Sequence, residues 1–77
     1  MRGIDQITKE LASEREERDY TEGRIAVWSR ELADMAPTAH GRTRIVRRLS
    51  DLEIKLAEAE KNIRLLKTER DAALAAA

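Results

Sequence analysis

Arg42, Arg44, Arg47 and Arg48 form the densest group of basic side chains in this 77-residue sequence. Guanidinium forks bind carboxylates and phosphates through paired N–H donors, so such a cluster points to an anionic partner. His40, just before it, is the sole imidazole, and there is no cysteine. Nucleophilic catalysis needs a nucleophile, a base and a group to orient that base, and one histidine without cysteine supplies too little. A metal site would have to combine His40 with carboxylates, and the nearest, Asp34, lies across Pro37. Gly3, Gly23 and Gly41 are too scattered to cradle a phosphate. The run Glu14-Arg15-Glu16-Glu17-Arg18-Asp19 pairs carboxylates, but mixed charges at this spacing form a solvated helix face with pairs such as Glu14–Arg18. The expectation is a protein that is not an enzyme, with no catalytic residue, no cofactor, no metal and no small-molecule substrate.

What positions the arginines is a pair of apolar seams read at a seven-residue period. One runs Ile4, Ile7, Leu11, then Ile25, Trp28, Leu32, Met35; the other runs Ile45, Leu49, Leu52, Leu56, Ala59, Ile63, Leu66. Alternating steps of three and four place each set on one stripe of a helix. Ala36-Pro37-Thr38-Ala39-His40-Gly41 separates them and concentrates the helix-stopping residues. The pattern predicts an all-α fold, an antiparallel two-helix coiled-coil hairpin in a single domain over 1–77. Helix one spans about 4–36, the loop about 37–41 and helix two about 42–75. The alanine-rich end, 72–77, continues helix two or frays. Thr38 and Thr43 are both candidate N-caps for helix two.

Pairing the helices so that partner numbers total 80 or 81 brings Trp28 to Leu52 and Ile25 to Leu56. The half near the loop is then well matched. Nearer the chain ends the same pairing sets Arg18 against Ile63 and Glu14 against Leu66, leaving two apolar residues poorly covered. Helix two also carries Val46, Ile54, Leu65 and Leu74 off its seam, and a helix apolar on several sides is usually packed on several sides. On helix one, Tyr20 and Val27 flank Gly23, which either leaves a notch for a neighbouring helix or merely loosens the segment. Ile54, Ile63, Leu65, Leu66, Tyr20 and Val27 are therefore the candidate partner or oligomer face. Short chains without disulfide or metal are commonly completed by association, so a four-helix dimer or packing on a partner is expected.

Charge is zero overall but uneven. Residues 24–48 carry +4, against −3 for 1–23 and −1 for 49–77. A hairpin of this sequence has a basic closed tip and an acidic open end. The four arginines fall in the first turns of helix two, where the helix dipole opposes cations, and only Glu31 and Asp34 are close enough in the hairpin to balance them. Arg42, Arg44, Arg47 and Arg48 are accordingly the candidate partner-binding tip. Met1-Arg2-Gly3 leads into Ile4-Asp5-Gln6 rather than an apolar run, and no stretch is apolar enough for a membrane span, so a soluble cytoplasmic protein is expected, or one held within a phage particle or intracellular assembly.

These features predict a protein–protein interaction or assembly module, a small coiled-coil adaptor, assembly factor or inhibitor of the kind found in bacteria and phages. Its partner is itself, a larger assembly, or both, with no membrane. The second reading is a nucleic-acid-binding hairpin dimer gripping phosphates with the same arginines. Stacking aromatics interleaved with the basic residues would favour it, and none is present. In outline the hairpin resembles RNA-binding helical hairpins of plasmid copy-number control and small hairpin chaperones of secretion systems. That likeness is one of architecture, without a shared motif.

Overall fold

The computed structural model of the chain describes residues 3–76; Met1 and Arg2, read above for a leader, and Ala77 of the alanine-rich end lie outside the described residues. Two helices, α1 (Ile4–Asp34) and α2 (Arg42–Ala76), pack antiparallel into a rod of 59 × 14 × 13 Å. The hairpin expected from the two seams is present.

The helix ends follow from local chemistry. α1 starts after Gly3, whose carbonyl accepts from Ile7 N–H at 3.1 Å. It ends two residues before the expected boundary. Met35 is already extended (ψ 142°), and its N–H turns back to Leu32 O at 3.2 Å. Pro37 disfavours helical geometry at Ala36, and the chain leaves the helix one residue earlier still. Two turns then reverse it. Ala39 N–H donates to Ala36 O at 2.9 Å across Pro37-Thr38, and Arg42 N–H donates to Ala39 O at 3.4 Å across His40-Gly41. Gly41 takes φ +90°, which a turn with a left-handed third residue requires and which other residues adopt only with strain. Its carbonyl accepts from Ile45 N–H at 3.1 Å and opens α2. Neither threonine precedes the helix directly: Thr38 sits in the first turn and Thr43 inside α2.

The core lies where the sequence predicted weakness. Ile7, Leu11, Ile63 and Leu66 form one buried cluster, with Ala73 packed against it. Thr21 and Ala59 are buried on the two seams nearer the middle. The Thr21 hydroxyl donates to Glu17 O at 2.8 Å, so its burial leaves no unsatisfied donor. In the loop half, by contrast, Ile25, Trp28, Leu32 and Met35 and their partners Ile45, Leu49, Leu52 and Leu56 are only half-buried.

This reversal corrects the expected register. Arg48 lies over Trp28, and Asn62 Nδ2 donates to Glu14 Oε1 at 3.4 Å, contacts whose partner numbers total 76 rather than 80 or 81. Two antiparallel helices run their three- and four-residue steps in opposite directions, so the two kinds of seam position alternate across the interface. The predicted pairing set like positions opposite each other, about one turn out. In the observed register Ile63 and Leu66 meet Ile7 and Leu11 and keep only 4 % and 8 % of their surface exposed. Glu14 reaches Asn62, and Arg18 pairs with its neighbour Asp19 at 3.2 Å.

Candidate interaction surfaces

The four tip arginines, grouped by sequence, divide into two pairs in space. Arg42 stands at the start of α2 and donates from Nη1 to Leu32 O at 3.3 Å, satisfying a carbonyl of the last turn of α1. Its charge opposes the dipole of its own helix. The hairpin, however, sets the negative end of α1 beside the positive end of α2, and the guanidinium sits on the former. Arg48 lies over the Trp28 ring at 5.4 Å, and Arg24, one turn before Trp28 on α1, lies over the same ring at 5.6 Å. Both distances are within cation–π range. The indole N–H of Trp28 is buried without a hydrogen-bond partner.

Arg44 and Arg47 belong to the other pair. Both side chains are exposed, and neither has a partner among the described residues. His40 is exposed in the second turn. Arg44 and Arg47 therefore keep unengaged guanidinium groups at the tip, while Arg42 and Arg48 are engaged within the hairpin. Arg24 had no distinguishing signal beyond its place four residues before the tryptophan.

The candidate apolar face divides as well. Ile63 and Leu66 leave it, since both are buried between α1 and α2. Ile54 and Leu65 remain 61 % and 58 % exposed, and Tyr20 and Val27 are exposed on α1. Val46 and Leu74 are exposed on α2. A methyl group built on Gly23 would meet nothing within 4 Å, so no segment of the hairpin occupies the space between Tyr20 and Val27. Near the open end a shallow groove runs between Glu10 and Glu14 of α1 and Asn62, Leu65 and Glu69 of α2.

Among the described residues no three or more of His, Cys, Asp and Glu cluster as metal ligands, and no helix is long and apolar enough to cross a membrane. Compared with protein-family models, curated proteins and solved structures, the chain matches none.

Proposed function

We propose that the chain is a non-catalytic protein–protein interaction or assembly module, a helical hairpin that docks through α2 and its basic tip. It self-associates into a four-helix arrangement, engages a larger assembly inside the cell, or does both. The observation that carries this reading is the division of the tip. Arg44 and Arg47 stay exposed and unpaired although two neighbouring arginines are used inside the hairpin. Exposed guanidinium donors near a helix start suit carboxylates on a partner surface.

Quantitative co-purification from the native host, comparing the parent with an Arg44→Gln/Arg47→Gln variant, tests the proposal. The variant should fold with an unchanged melting temperature and recover less of the partner. Equal recovery by both chains would remove the tip from the binding surface. The same unpaired arginines also favour one other reading, phosphate binding on nucleic acid. A mobility-shift titration at two salt concentrations separates the two, because phosphate binding weakens steeply as salt rises. Tight, salt-steep retardation would replace the protein partner by nucleic acid.

A further inference from the structure

We propose that a second copy of this chain docks antiparallel on the outer face of α2, in the register that sets Ile54 against Leu65 of the second copy. The inference rests on reading the chain as an interaction module and names one partner for it.

Ile54 and Leu65 are eleven residues apart on one helix. At 3.6 residues per turn that is three turns, and the two side chains point within about 20° of each other. Each is more than half exposed. The seam of α2 lies roughly half a turn round the helix from them, so α1 covers the opposite side and leaves this stripe open. Glu58 and Lys61 stand between the two apolar residues on the same stripe, and both are exposed. All four fall within an arc of about 60°.

The order apolar, acidic, basic, apolar is self-complementary under a two-fold axis. Rotation about a point midway between residues 59 and 60 brings Ile54 onto Leu65 and Glu58 onto Lys61. Each contact is made twice, as an isologous interface requires. A parallel pair would set Glu58 beside Glu58, Lys61 beside Lys61 and one basic tip beside the other. The antiparallel pair instead lays the +4 segment 24–48 towards the acidic open end of its neighbour. Charge thus selects the orientation, and the apolar pairs supply the contact.

The cysteine-free chain permits a direct test. Ile54→Cys and Leu65→Cys variants are prepared separately, checked by circular dichroism, and oxidised alone and in equimolar mixture. In the proposed register the mixture yields a covalent dimer and each variant alone does not. Like positions then lie about 16 Å apart along the axis, beyond disulfide reach. A dimer from Ile54→Cys alone as abundant as from the mixture would overturn the orientation. The charges are tested by sedimentation equilibrium. Glu58→Lys and Lys61→Glu should each weaken self-association, and mixing the two or combining them in one chain should restore it. A parent chain that stays monomeric at hundreds of micromolar and gives no cross-link in any mixture would overturn the proposal. Continued binding of a host partner in that case would leave the broader reading standing.

Discussion

The two halves of the rod are held together by different physics. In the open half, aliphatic side chains interlock: Ile7, Leu11, Ile63 and Leu66 are removed from water with Ala73 beside them. In the loop half the seam residues, Trp28 among them, are more exposed, and polar contacts assist them. Arg24 and Arg48 cover the Trp28 ring, Arg42 ties to the end of α1, and two turns fix the reversal. A pair of helices can enclose small and medium side chains between them, whereas an indole at the seam keeps an edge in solvent. The aliphatic layers therefore hold the hairpin closed, while the half that carries the basic group leaves more of its seam exposed.

The largest expected effect compares leucines. Leu11→Ala removes a fully buried side chain and should cost about 2–5 kcal/mol, a large share of what so small a domain possesses. Leu49→Ala, half-buried in the other half, should cost clearly less. Thermal melts of both decide the matter, and equal losses would erase the difference between halves. Next is the turn. Gly41→Ala forces a methyl-bearing residue to φ +90° and should lower stability by about 1–2 kcal/mol in the same melts. A neutral result would mean that the turn rearranges without loss. Smaller, and of opposite sign, is Gly23→Ala: an added methyl meets open space on a helix interior and should stabilise α1 by up to about 1 kcal/mol. If it also weakens association with a partner, the notch beside Tyr20 and Val27 is an occupied contact. The smallest concerns the indole. Arg48→Gln should cost about 0.5–1 kcal/mol through the lost ring contact, while Arg44→Gln should leave the melting temperature unchanged.

The sequence made the two helices, the reversal and the seam membership readable, because the three-and-four spacing and the Pro37–Gly41 interval are local signals. It did not disclose the register. Ile63 and Leu66 looked mismatched only because seam positions of one kind were set opposite each other, and a shift of one turn returns them to Ile7 and Leu11. Thr21, a polar residue on the seam, fits there because its hydroxyl is bonded to Glu17 O. The four arginines looked equivalent since the pattern carries no information on which carbonyl or ring lies across the hairpin. Arg42 and Arg48 found such neighbours at Leu32 and Trp28; Arg44 and Arg47 did not. Local periodicity is written in one helix at a time, whereas register and side-chain pairing belong to both.

Residue-resolved amide hydrogen exchange at low protein concentration tests the division of the rod most directly. Backbone amides open with free energies set by the apolar contacts that hold their segment. The slowest-exchanging amides should lie at residues 7–14 of α1 and 59–66 of α2, with residues 25–35 and 42–52 exchanging faster. Slowest exchange at 25–35 and 42–52, or uniform protection along both helices, would contradict the placing of the holding contacts in the open half.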